Sequence, residues 1–136
     1  MLTVNELAKR SDVSAHTVRY YIRSGLLTPV QTQANKYRLF AVDDVNKLKF
    51  IRTAKLLGFT LSDIQLILGH AKMGKSPCSE VRVLIQQRMQ EIEEKIRDMQ
   101  QLQQRMGTAL ERWQDMPDQK PDGNSICHLI EAMSYT

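Results

Sequence analysis

The amino-acid sequence predicts a mostly α-helical chain, with a winged helix-turn-helix head followed by a long C-terminal dimerisation helix of the coiled-coil kind. Three observations predict it. Short helices with polar caps fill residues 1–69, basic charge gathers in the N-terminal part, and a seven-residue apolar repeat runs through residues 79–115. Glycine and proline punctuate the segments between them.

The first helix opens at Thr3-Val4-Asn5-Glu6, a capping box in which hydroxyl and carboxylate meet orphan backbone N–H groups. It is expected to end near Arg10, before a Ser11-Asp12-Val13 break. Ser14 is the next N-cap, for a helix through His16, Thr17, Val18, Arg19, Tyr20, Tyr21 and Ile22 that Gly25 stops. Two short helices around a tight turn form a helix-turn-helix. Leu26–Val30 then reads as a strand and Lys36–Phe40 as its partner, joined by the polar stretch 31–35. That hairpin is a wing with a basic, aromatic tip.

Asp43 and Asp44 are expected in the first turn of a third helix, where carboxylates suit the positive end of the dipole, and it carries Val45, Leu48, Phe50, Ile51, Ala54 and Leu57 to a Gly58 stop. Thr60-Leu61-Ser62-Asp63 opens a fourth helix expected to end at Gly69, leaving 70–78 as a linker. Beyond it Ile85, Ile92, Met99, Met106 and Trp113 recur every seven residues, with Val81, Leu102 and Ala109 on a companion row that Arg88 and Lys95 interrupt. A helix of that length spans roughly 50 Å at 1.5 Å per residue, more than a small head is able to cover. Its stripe therefore calls for a partner helix, and a homodimer joined through Ile85, Ile92, Met99, Leu102, Met106 and Trp113 is expected. Residues 116–136 form a tail.

Charge points to the kind of partner. Residues 1–57 hold ten Lys and Arg against four acids, a net +6, whereas residues 58–136 hold nine against eleven, a net −2. A basic head on a mildly acidic scaffold fits a polyanion, and basic wing residues reach phosphates or a minor groove while a helix occupies the major groove. No apolar run approaches a membrane span and no secretory leader is visible, and Cys78 and Cys127 are too few for a disulfide framework, so a cytoplasmic chain with reduced thiols is expected. Enzymatic chemistry is disfavoured. There is no phosphate-cradling glycine loop or nucleophile–base pair, and His16, His70 and His128 fall on separate elements.

Thr17-Val18-Arg19-Tyr20-Tyr21 followed by Ser24-Gly25-Leu26-Leu27 resembles the recognition-helix signature of MerR-type regulators. The Asn35-Lys36-Tyr37-Arg38 wing, the Leu56-Gly58-Phe59-Leu61 segment and the long helix follow in the family's order. The resemblance implies an antiparallel coiled-coil dimer on double-stranded promoter DNA. Such a dimer activates promoters with over-long spacers by untwisting and bending them so that RNA polymerase engages both elements. It implies DNA-facing roles for Thr3, Ser14, His16, Thr17, Arg19, Tyr20, Lys36, Tyr37, Arg38, Arg52 and Lys55. Core packing is the competing reading for the aromatics, and it favours Tyr21 over Tyr20. Lys36 stands where the family usually has glycine, and Ile22 where an acidic residue is common.

The resemblance also points to an effector. Metal-responsive members carry cysteine at the Cys78 position for divalent ions such as zinc, cadmium, lead or mercury, and serine there for copper(I). Across an antiparallel dimer, Cys78 of one protomer meets Cys127 of its partner, with His128, Asp118 or Asp122 as further donors to a mixed site. The loop cysteine expected about ten residues before the last one is missing from Met116-Pro117-Asp118-Gln119. A thiol-based redox or electrophile sensor and an effector-independent architectural DNA-binding protein stay open as alternatives, with a metal-storage role disfavoured. An iron–sulfur sensor needs about four cysteines.

Overall fold

The computed structural model describes residues 1–32 and 38–133, which contain six helices and one two-stranded ladder among the described residues. The elements are α1 Val4–Ser11, α2 Ala15–Arg23, β1 Gln31–Thr32, β2 Arg38–Leu39, α3 Asp44–Leu56, α4 Leu61–Lys72, α5 Cys78–Trp113 and α6 His128–Glu131. Two compact units divide the chain, Met1–Arg88 and Met89–Thr136. No helix is long and apolar enough to cross a membrane among the described residues.

In the first unit the local signals act as expected at three helix starts. The Thr3 hydroxyl accepts the Glu6 N–H at 3.2 Å, and the Glu6 carboxylate accepts the Thr3 N–H at 3.4 Å. Ser14 caps α2, and Thr60 with Asp63 forms a second capping box on α4. Helix α1 continues one residue past its expected end, to Ser11. The turn to α2 is made by Asp12, whose φ of 57° makes it the non-glycine residue with positive φ among those described. Aspartate tolerates that left-handed conformation better than most residues. Val18, Leu7, Leu27, Phe40, Leu48, Ile51 and Ile64 are completely buried where these helices meet.

Ser11 is completely buried too, and its Oγ has no hydrogen-bond partner among the described residues. An unmet buried polar group costs about 1–3 kcal/mol, so Ser11→Ala is expected to stabilise the head by about 1 kcal/mol. A raised urea midpoint checks this, and an unchanged or lower one would refute it.

Four expectations need correction. The first wing strand is not Leu26–Val30 but Gln31–Thr32, paired antiparallel with Leu39 and Arg38. The Leu26 and Leu27 N–H groups are consumed by the Tyr21 carbonyl at the end of α2, and both side chains lie in the core. Two successive buried side chains do not fit the alternation of a strand. Ladder bonding starts with the Val30 N–H on the Leu39 carbonyl at 2.8 Å. Helix α4 does not stop at Gly69 but runs to Lys72, and the loop is 73–77. One glycine costs a helix only about 1 kcal/mol, and Gly74, at φ 73°, supplies the left-handed exit instead. Asp43 is the N-cap of α3, without a side-chain bond, so of the two only Asp44, whose pKa burial raises, lies in the first turn. Cys78 is the first residue of α5 rather than the residue before it.

The first three turns of α5 belong with the head. Leu84 is buried in the head's core, and Val81 and Ile85 pack half-buried against it. Ile85, expected on a dimer seam, thus has an intramolecular neighbourhood. In the second unit Ile92, Met99 and Met106 are at least half exposed, and Leu102 is 39% exposed. Chain reversal after α5 brings the tail back, and the Trp113 indole N–H donates to the Leu129 carbonyl at 2.6 Å.

Candidate nucleic-acid interface and effector tail

Helix α2 separates its residues by the 3.6-residue period. Val18 and Tyr21 point into the core, while His16, Arg19, Tyr20 and Arg23 share the exposed face. Burial, with Tyr20 adjacent, pushes the Tyr21 phenol pKa up. The Tyr20 ring remains 45% exposed and meets Tyr21 at 5.5 Å between centroids, tilted by 55°. Arg23 was outside the expected set, yet its spacing from Arg19 and Tyr20 puts it on the same face.

The start of α2 is ordered by hydroxyls. Ser14 Oγ accepts the Thr17 N–H at 3.0 Å and lies 2.8 Å from Thr17 Oγ1. These two residues line one shallow groove with Tyr21, Arg52, Lys55 and Leu56. Four residues expected to face DNA, distant in sequence, are therefore neighbours: Ser14, Thr17, Arg52 and Lys55. Arg52 Nη1 sits 3.2 Å from Asp12 Oδ2, with both side chains more than half exposed. Such a surface pair is worth about 0–1 kcal/mol, so it leaves the guanidinium available to another anion. Arg38 is exposed on β2, and Thr3 serves as the α1 cap. Lys36 and Tyr37 lie outside the described residues.

Asp122, His128 and Glu131 of the tail are engaged within it. Asp122 Oδ1 accepts N–H bonds from Asn124 at 2.7 Å and Ser125 at 2.9 Å, which lowers its pKa. The ring Nε2 of His128 lies 2.7 Å from the Pro117 carbonyl, to which it donates, so Nδ1 is the ring nitrogen left unengaged by that bond. Glu131 accepts the Cys127 N–H at 3.0 Å and the Ile126 N–H at 3.1 Å, closing the start of α6. Cys127 is the half-buried N-cap of that short helix, and Cys78 is exposed at the start of α5. Asp118 is exposed. Among the described residues no three His, Cys, Asp or Glu side chains converge as a metal cluster within one chain. Two thiols are the thiolate donors the chain offers, whereas Asp122 and the Nε2 of His128 are engaged.

Comparison with known proteins places this architecture. The family model described as "MerR HTH family regulatory protein" matches residues 2–71, and "MerR, DNA binding" matches residues 45–109. The HTH-type transcriptional regulator ZntR of Escherichia coli (strain K12) is 31% identical over 134 residues, covering 98% of this chain and 92% of the relative. The mercuric resistance operon regulatory protein of Bacillus cereus is 27% identical over 132 residues, covering 96% of this chain and 95% of its own. The transcription regulator PbrR691 from Ralstonia metallidurans CH34, solved in complex with lead(II), shares the fold at a TM-score of 0.76 and 24% identity, across 98% of this chain and 100% of that one. A helix-turn-helix with its polar face outward, a two-stranded wing and a 36-residue helix behind them agree with these matches, and the chain belongs to the MerR family of DNA-binding transcriptional regulators, not to a family of enzymes.

Proposed function

We propose that this regulator is a metal-responsive activator that binds promoter DNA as a homodimer and untwists an over-long spacer when a divalent ion occupies a site shared between protomers. Residues 1–69 bind DNA in this reading. Helix α2 enters the major groove, with Arg19 and Tyr20 at the bases and backbone and His16 and Arg23 flanking them. Arg38, with Lys36 and Tyr37, reaches the backbone from the wing, and Arg52 and Lys55 hold phosphates beside the start of α2. Residues 79–115 pair with the partner's helix through Ile85, Ile92, Met99, Leu102, Met106 and Trp113. Bending and untwisting a promoter costs on the order of several kcal/mol, which effector binding has to supply as a difference between two dimer states. RNA polymerase then meets both promoter elements on one face.

The observation that carries the metal reading is the placement of the two thiols at helix starts, Cys78 first in α5 and Cys127 capping α6. A helix start favours an anionic ligand. In an antiparallel dimer the two thiols face each other across subunits, and thiolates select soft or borderline ions such as zinc, cadmium, lead or mercury. The regulation of a mercuric resistance operon by one relative and the lead(II) complex of PbrR691 support the same class. Residues 116–136 then form the lid of the site, with the Nδ1 of His128 and Asp118 as the remaining nearby donors.

The test is titration of the reduced dimer with zinc, cadmium, lead, mercury and copper(I) against competing chelators, beside Cys78→Ser and Cys127→Ser. Tight binding of one divalent ion, lost in both variants, is expected. Binding no better than micromolar, or unchanged in both variants, would overturn the metal reading and direct the search to thiol oxidation.

A further inference from the structure

Asp63 is 4% exposed, which is rare for a carboxylate, and it serves two elements at once. Its Oδ2 accepts the Thr60 N–H at 2.9 Å as half of the α4 capping box. The same carboxylate receives Arg88 from α5, with Nε 3.0 Å from Oδ2 and Nη2 donating to Oδ1 at 3.3 Å. The contact is a close ion pair carrying one hydrogen bond, from Nη2, and the Arg88 side chain is itself only 21% exposed.

Arg88 occupies the row of Val81, Leu102 and Ala109, where an apolar residue would continue the stripe. It is also the last residue of the first compact unit, ten positions after the start of α5. A largely buried ion pair adds little net stability, because desolvation offsets its attraction, and apolar replacements of similar volume are often as stable. What the pair does supply is directionality, since a planar guanidinium donates in its own plane and Nη2 holds one edge of the carboxylate. Leu84, Val81 and Ile85 are aliphatic contacts, which carry no directional bond to fix how the helix slides or rolls on the core.

We infer that the Asp63–Arg88 pair is a positioning clamp that couples the N-terminus of α4 to α5, so that a change imposed on the head by DNA is carried into the helix beyond Arg88. Arg88 is a positioning residue in this role and touches no DNA. The inference rests on DNA binding by the head and not on the effector.

The experiment is hydrogen exchange of the full-length dimer with and without a duplex that the protein itself selects from a randomised pool, and no metal is added. In the wild type, duplex binding is expected to alter exchange in the first turn of α4 and in α5 on both sides of Arg88. The double variant D63N/R88M removes both charges and keeps an acceptor for the Thr60 N–H. In it the change beyond residue 88 should shrink by about fivefold, with duplex affinity kept within about threefold. Its melting temperature should stay within about 5 °C of the wild type, less than a lost structural element would cost. Arg88→Lys, which keeps the charge and loses the planar guanidinium, should behave like the double variant. The clamp is overturned by an undiminished change beyond residue 88 in the double variant, by no such change in the wild type, by full retention in Arg88→Lys, or by a larger fall in melting temperature. Failure of the metal titration leaves each of these results interpretable.

Discussion

Phe40→Ala is expected to lower the stability of the head by about 3–5 kcal/mol, the range for deleting a fully buried aromatic side chain. Phe40 has no exposed surface, and its backbone exchanges two bonds with Leu2, N–H to carbonyl at 2.8 Å in each direction. It therefore joins the chain's first residues to the wing strand β2 and to the helices beneath. A domain of this size has about 5–15 kcal/mol in total, so the variant should lose a large fraction of its stability. Urea unfolding followed by circular dichroism checks it, and a loss below about 1.5 kcal/mol would mean that the neighbours collapse into the space.

Arg19→Ala is expected to weaken binding to the selected duplex by about tenfold to hundredfold, the equivalent of one good base contact. Arg19 is exposed on the outward face of α2, so its removal should leave the melting curve unchanged. Fluorescence anisotropy at one fixed salt concentration reads the loss, since affinities for DNA shift strongly with salt. Affinity within twofold of the wild type would remove Arg19 from the interface. Read beside Phe40→Ala, the pair separates the two faces of the head: one residue carries the fold without touching DNA, and the other is expected to do the reverse.

Signals that act within a turn or two were readable in the sequence. Thr3 with Glu6 and Thr60 with Asp63 cap helices as their spacing implied, and the alternation of Val18 and Tyr21 with Arg19 and Tyr20 followed from the helical period. Where a local signal was ambiguous, tertiary context decided. Gly69 looked like a stop, but its neighbours continue the helix and Gly74 ends it. Leu26 and Leu27 looked like strand residues because branched and aliphatic side chains suit strands, yet the end of α2 takes their N–H groups. Long-range pairs left no trace at all. Nothing in the spacing of Leu2 and Phe40, of Asp12 and Arg52, or of Asp63 and Arg88 distinguishes them from unpaired residues. The same holds for the tail, where a four-residue helix is too short to show a period and the engagement of His128 with Pro117 depends on the chain reversal after α5.

The left-handed turn at Asp12 has an evolutionary side. Of the common residues, only glycine, asparagine and aspartate hold a φ near +57° at little cost, so position 12 offers natural variation a very short list. Asparagine and glycine are each one nucleotide away from aspartate. Either would keep the bend between α1 and α2 and delete the anion beside Arg52. A lineage is thus able to retune the charge beside Arg52 in a single step that disturbs the turn little, while most other side chains at that position cost the fold about 1–2 kcal/mol.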